Sequence, residues 1–450
     1  MFALAEHPTV RHFHETVATR PERATVVEAA WLRQLCLEAG ADDVGFVGID
    51  RPEIAEQHAD ILRFFPHTKT LISFVCRMNR EPIRGPARSV ANVEFHHTGE
   101  HVNAVAHRIV AALEAHGVRA TNPAMGFPME MERWGVGQAW VISHKPVAVA
   151  AGLGHMGIHR NVIHPRFGNF ILLGTVLMDV EVTEYDQPMA YNPCLECKLC
   201  LSACPVGAIN TDGSFNFSAC YTHNYREFMG GFSDWVETIA DSQSAQQYRA
   251  KVSDAETVSM WQSLSFGANY KSAYCMAVCP AGDDVIGPFL TDRKGYLQDV
   301  VRPLQEKAET IYVVPGSDAE SHVARRFPHK TIKRVSNGLR PRSIQAFLRG
   351  LPLAFQRQRA AGLDATYHFT FTGDEPLSVT VVIRNQTVQV QYDHIGTPDL
   401  HVIADSHTWL SFLAKERSLV WALVRRTIRL KGSPRLLRAF GKCFPSSRSL

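Results

Sequence analysis

The chain of 450 residues is 45% hydrophobic and 20% charged, enough apolar material for about two to four ordinary domains, which excludes a disordered or collagen-like polymer. Its 47 basic and 44 acidic residues leave a net charge of +3, too balanced to mark a dedicated nucleic-acid binder. The longest apolar stretch, residues 170–178, falls far below the roughly 20 residues of a membrane span, and no basic segment precedes an apolar core at the N-terminus, so a cytoplasmic protein is expected.

Residues 1–190 read as alternating helices and strands. Apolar positions at helical spacing over 27–39 stop at Gly40, and the β-rich run 44–49 follows, the order of an α/β layer. Residues 70–76 read as a buried strand, 99–116 as a helix ended by Gly117, and 170–178 as a central strand. The segment 191–305 carries the cysteines, with a polar helical insertion over 233–263. A basic linker is expected over 306–364, because 325–359 holds ten Lys or Arg and no Asp or Glu. That stretch reads as a solvated basic face or as a dock for an acidic electron donor or a phosphate-bearing ligand. Residues 365–450 form a different unit: strands over 379–384 and 387–392 around Asn385-Gln386 make a hairpin, a strand spans 400–404, and helices start near Ser406 and Pro434.

Seven of the ten cysteines fall between Cys194 and Cys279, against a disulfide scaffold. Cys36, Cys76 and Cys443 read as buried inert thiols. Cys194-x2-Cys197-x2-Cys200-x3-Cys204-Pro205 is the bacterial ferredoxin run, in which three thiolates serve one [4Fe-4S] cube and the fourth points to a second cluster. Zinc sites space their paired cysteines differently. The second half is Cys275-x3-Cys279-Pro280 with Cys220 upstream, and the usual exchange predicts Cys194, Cys197, Cys200 and Cys279 on the first cube. Cys204, Cys220 and Cys275 remain for the second, and Ser272 stands where a regular motif has its first cysteine. Either that centre is [3Fe-4S], or its fourth iron is held by His223, Ser272 or water. Two clusters imply a protein that moves electrons one at a time.

The stretch AGLG-x-x-G over 151–157, the Pro-x-x-Gly loop over 165–168, LG-x-x-L-x-D over 173–179 and then the cysteine run resemble the epoxyqueuosine reductase and reductive dehalogenase superfamily over about residues 27–290. The resemblance implies a nitroreductase-like α/β catalytic domain that binds a base-off corrinoid (cobalamin), followed by a ferredoxin-like double-cluster domain. Gly152, Gly154 and Gly157 would let backbone approach the corrinoid. Gln138 stands where epoxyqueuosine reductases place a catalytic Asp, and Ile158 where a Lys commonly follows the glycines. No catalytic residue is therefore assigned; Tyr191, Tyr221, His144, His155 and His159 are candidate proton donors.

Residues 398–413 and 427–440 resemble a sterol carrier protein domain covering about 365–445, an α+β unit whose five-stranded sheet and helices enclose a tunnel for lipids. Its Trp409, Phe412, Leu413, Trp421, Leu437 and Phe440 close as a core or open as a pocket. Arg425, Arg426, Arg429, Lys431, Arg435 and Arg438 read as a solvated face or one for an anionic head group. Together these features imply an iron-sulfur reductase for a hydrophobic or lipid-like substrate, fed by a ferredoxin- or flavodoxin-type donor, with no nucleic acid as partner and room for a homodimer. A ferredoxin-like electron carrier without corrinoid and a redox-sensing lipid carrier are the alternatives.

Overall fold

The computed structural model describes residues 4–16, 25–130, 140–338, 340–414 and 416–445. Helix α1 (Ala29–Glu38) buries Leu32 and Cys36 and leads through Gly40, at φ +106°, into strand β1 (Asp43–Gly48). With β2 (Thr70–Arg77), α2 (Arg88–Ala115), β3 (Ala120–Thr121), α3 (His144–Ala150) and β4 (Ile171–Met178) it builds an antiparallel sheet of order β1-β2-β4-β3. Strand β2 is buried at every position but its last, as its unbroken apolar run foretells. Helix α2 starts at Arg88, well before the expected residue 99. Its first turns bury Asn92, Glu94 and Thr98, which hides the apolar period; Asn92 bonds Tyr270 and Glu94 accepts from the Asn79 backbone at 2.7 Å.

The cysteine segment is helical: α4 (Leu199–Ala203), α5 (Phe217–Asn224), α6 (Asp254–Phe266) and α7 (Tyr274–Ala277). Helix α6 begins with a full capping box between Ser253 and Glu256. The expected linker is folded. Strands β5 (Thr310–Val313) and β6 (Thr331–Arg334) pair in parallel, with a helix over Asp318–Arg326 between them. Its basic residues are mostly neither free nor a dock: Lys330, Lys333, Arg334, Arg340, Arg357 and Arg359 pair with Glu309, Glu256, Glu320, Glu237, Asp212 and Asp318. All six acids come from outside 325–359, so six of the ten charges are paired across the fold.

The C-terminal unit begins earlier than residue 365, with α8 (Ile344–Ala354), whose Phe347, Leu348 and Leu351 join the core of the last sheet. That sheet contains β7 (Ala365–Thr372), β8 (Leu377–Arg384), β9 (Thr387–Tyr392), β10 (Leu400–Asp405) and β11 (Ile428–Gly432) in the order β9-β8-β7-β10-β11, with only β7 and β10 parallel among its pairs. Helices α9 (Ser406–Leu413) and α10 (Pro434–Cys443) cover one face, where Trp409, Phe369, Phe371 and Phe440 pack as rings. Asn385 and Gln386 take φ +51° and +57°, the primed turn that matches strand twist. Helix α8 also packs on α5, and the buried Gln356 accepts from Asn216 at 3.3 Å and from the Asp318 backbone at 2.9 Å. Among the described residues no helix is long and apolar enough to cross a membrane.

Candidate metal centres and cavity

The loop from Cys194 to Cys200 curls because Glu196 and Lys198 adopt left-handed φ of +49° and +60°, turning three thiols inward. Cys194, Cys197, Cys200 and Cys279 line one small cavity, joined there by His159. Burial pushes the thiols of Cys197, Cys200 and Cys279 up, the last to about 12. As thiolates they would also repel one another, so a strongly positive group is needed to hold them ionised. Peptide N–H groups of Leu199, Leu201 and Ala281 face the sulfurs of Cys197, Cys200 and Cys279. Among the described residues no three His, Cys, Asp or Glu side chains stand close enough to share a single ion. A soft, all-sulfur donor set suits iron and sulfide, whose four-iron cube spreads its thiolates wider than one zinc ion does.

Cys204, Cys220 and Cys275 line a different space, a cavity of about 990 Å³. Cys204 sits at the end of α4, Cys220 in α5 and Cys275 in α7. Burial raises all three thiols, Cys275 to about 12, and the Ala208 N–H donates to the Cys204 sulfur at 3.3 Å. Asn161 reaches the Cys275 sulfur at 4.0 Å and accepts from Lys145 Nζ at 3.0 Å. The Lys145 side chain is open to the cavity yet ringed by protein, and desolvation lowers its pKa while Cys275 and Cys220 act to raise it. The cavity is also lined by Tyr225, Phe228, Tyr270 and Phe95, whose rings meet in tilted and edge-to-face pairs with centroids 4.9 to 5.7 Å apart. Phe127, Leu264, Phe266 and Leu353 line the cavity while 43%, 57%, 69% and 47% exposed, so they mark its mouth. Leu353 belongs to α8, which makes the C-terminal unit part of this wall.

The glycine loop lies elsewhere. A Cβ on Gly154 would meet the Ile163 carbonyl oxygen at 2.5 Å, one on Gly157 the Ile163 side chain at 2.7 Å, and one on Gly152, at φ +72°, the Gln187 carbonyl. These glycines serve close approach of the chain to itself, and none of the three lines the large cavity. The chain itself fills the space at these three glycines, so they do not fit a corrinoid cradle. Gln138 lies outside the described residues. Of the candidate proton donors, Tyr221 and His159 line the cavity; His144 bonds Thr175 and Ala124, His155 bonds Met156, and Tyr191 is exposed on the surface. Sequence reasoning missed Lys145, Asn161 and the aromatic wall, which gathers residues from 95 to 270 and leaves no local pattern. Cys36, Cys76 and Cys443 are buried, and burial raises them to about 12, 12 and 11.

Residues 346–445 match the model of the SCP-2 sterol transfer family, so a sterol-carrier-type domain is present at the C-terminus. An epoxyqueuosine reductase of Cellulophaga algicola is 32% identical over 100 residues, 20% of this chain and 32% of that protein. The chain resembles epoxyqueuosine reductases. The match spans a third or less of the length of such curated relatives. Among solved structures, a catabolic reductive dehalogenase aligns with TM-score 0.37 at 14% identity, covering 65% of this chain and 38% of that one. An epoxyqueuosine reductase with an epoxyqueuosine-modified tRNA-Tyr stem loop aligns with TM-score 0.31 at 14% identity, over 62% of this chain and 88% of that one. Because that protein carries an RNA ligand, the expectation that nucleic acid is no partner is withdrawn.

Proposed function

We propose that the chain is an iron-sulfur oxidoreductase that reduces an apolar, oxygen-bearing small molecule in the 990 Å³ cavity. The observation that carries this reading is one wall: Cys204, Cys220 and Cys275 face the same space as Leu353 of the sterol-carrier-type unit. A carrier core in contact with an electron-bearing site has a use if the carried molecule is the one reduced. In this reading residues 1–190 are the nitroreductase-like domain and 191–305 the ferredoxin-like one, with Cys194, Cys197, Cys200 and Cys279 on a [4Fe-4S] cube and Cys204, Cys220 and Cys275 on a second centre. The clusters supply electrons singly from a ferredoxin- or flavodoxin-type donor.

The chain's own groups do the rest. The rings of Phe228, Tyr225 and Tyr270 bind and orient the apolar body and keep water out. Lys145 holds a proton at Nζ, and Tyr221 one at Oη, whose oxygen accepts from the Gly230 N–H at 2.8 Å. Each two-electron reduction takes two such protons, and the donor set is refilled through the mouth beside Phe266.

A second reading has its own observation. From Arg417 to Lys442 the sequence has eight Lys or Arg and no acid, and among the described residues none of these cations is ion-paired. With an aromatic wall able to stack a base, that pattern suits a modified nucleobase on RNA, the kind of ligand in the aligned complex. Dithionite-reduced protein, gel-filtered without oxygen, decides between them. Reoxidation by an apolar small-molecule fraction supports the first reading, reoxidation by a stem-loop RNA fraction the second, and reoxidation only by a carrier protein the electron-carrier alternative.

A further inference from the structure

We infer that the fourth corner of the second centre has no protein ligand and opens into the cavity, where its iron takes an oxygen donor on an apolar molecule. This rests on the two-cluster reading and deepens it. Three thiols lie on the cavity wall, and each side chain offered as a fourth ligand is turned away or already engaged.

Ser272 is buried beside them, but its Oγ donates to Asn224 Oδ1 at 3.3 Å. The Ser272 N–H donates to the same oxygen at 2.8 Å, which fixes the amide so that an acceptor faces the hydroxyl. A serine ligand to iron would be an alkoxide, and here it would meet another lone pair. His223 sits on α5 but off the face that presents Phe217, Cys220, Tyr221 and Asn224 to the cavity. Its Nδ1 accepts from the Tyr312 N–H at 3.3 Å and its ring stacks on Tyr312, and its Nε2, buried without a hydrogen-bond partner, belongs to a residue that does not line the cavity. His159 does line the cavity, yet Nδ1 accepts from the Asn161 N–H at 3.1 Å and Nε2 bonds Asn169 at 2.9 Å. Lys145 donates to the Arg160 carbonyl and to Asn161 and has no lone pair to give as an ammonium.

Ala273, between Ser272 and Cys275, is held at φ +124°, a strained conformation for a residue with a side chain. Ser272 and Asn224 both line the cavity, and the Ser272 hydroxyl is held on Asn224 there. Beside the three thiols the cavity presents the engaged Ser272 and Asn161, an ammonium at Lys145 and aromatic rings. Iron prefers an oxygen or nitrogen donor there, the ammonium favours one with negative charge, and the rings select an apolar remainder.

The test uses the full chain, reconstituted without oxygen, with cyanide as the probe of an open iron. Iron analysis and EPR come first: about seven or eight irons with two reduced signals keep the two-cluster reading, and about four irons with one signal defeats both it and the inference. Given two signals, we expect cyanide to shift the second one in the wild type and in Ser272→Ala and His223→Gln, while Ser272→Cys removes the response. We also expect mild oxidation to give a [3Fe-4S] signal that added ferrous iron reverses. Eight irons with no cyanide response, or a second signal altered by Ser272→Ala or His223→Gln before cyanide is added, overturns the inference and leaves the two-cluster reading standing.

Discussion

The two cysteine sets use the same atoms in opposite ways. Cys194, Cys197 and Cys200 come from one tight loop and meet Cys279 in a space with little room for anything else. Cys204, Cys220 and Cys275 come from three separate helical elements and border a space large enough for a small molecule. Three thiols from a local motif and a fourth from a distant turn border a closed space, which in the proposed reading suits passing electrons. Three from dispersed elements would, in the proposed reading, leave one position available, which suits chemistry. The contrast teaches that the spacing of a motif encodes enclosure, while openness depends on a residue that is missing.

The largest expected effect breaks the closed site. Cys279→Ser removes a donor that no neighbour replaces, and we expect iron to fall by about half together with a marked drop in thermal melting temperature, because metal binding and folding are coupled. Cys220→Ser should lower iron too but leave the EPR signal of the first centre intact. Next is Gly154→Ala, whose Cβ would meet the Ile163 carbonyl at 2.5 Å. A backbone clash of this kind costs about 2 kcal/mol or more, read as a lower urea midpoint with iron content per folded protein unchanged; cobalamin offered to either protein should be lost on gel filtration.

Lys145→Met sharpens the comparison more gently. Its cation faces Cys220 and Cys275 and not the first set, so its loss should make the midpoint potential of the second centre more negative and leave the first unmoved in an EPR-monitored titration. Lys145→Arg should restore most of the shift. The smallest effect concerns pH. Burial acts to raise the Glu256 carboxyl, but hydrogen bonds from Lys333, Ser253 and Tyr312 bring it below its ordinary value. A carboxyl lowered on folding contributes stability above its unfolded pKa of about 4.3 and loses it as pH falls through the folded value. Urea midpoints should therefore decline in acid slightly less for Lys333→Met than for the wild type.

Legibility in the sequence followed locality. The membership of the cysteine run, the hairpin around Asn385 and the sterol-carrier-type unit were all readable because neighbours in sequence make them. The seven thiols divide between two spaces, Cys194, Cys197, Cys200 and Cys279 in one and Cys204, Cys220 and Cys275 in the other. What could not be read was assembled across distance. Phe95, Phe228 and Tyr270 meet only in the fold, Glu94 hides the start of α2 by being buried and bonded, and the six acids that pair with cations of 325–359 lie from 212 to 320. The glycines misled in a different way: their spacing marks close approach, but the partner is the chain's own backbone at Ile163 and Gln187.

Helix α8 starts the C-terminal unit and lies on α5, the helix that carries Cys220. Gln356 then ties residues 216 and 318 to the end of that helix, while its N–H reaches the Cys443 carbonyl at 2.9 Å. The sterol-carrier-type unit is accordingly not a detachable cargo hold. Exchanging it for a related unit, or cutting the chain near residue 340, would strip Leu353 from the wall of the cavity that Cys204, Cys220 and Cys275 line.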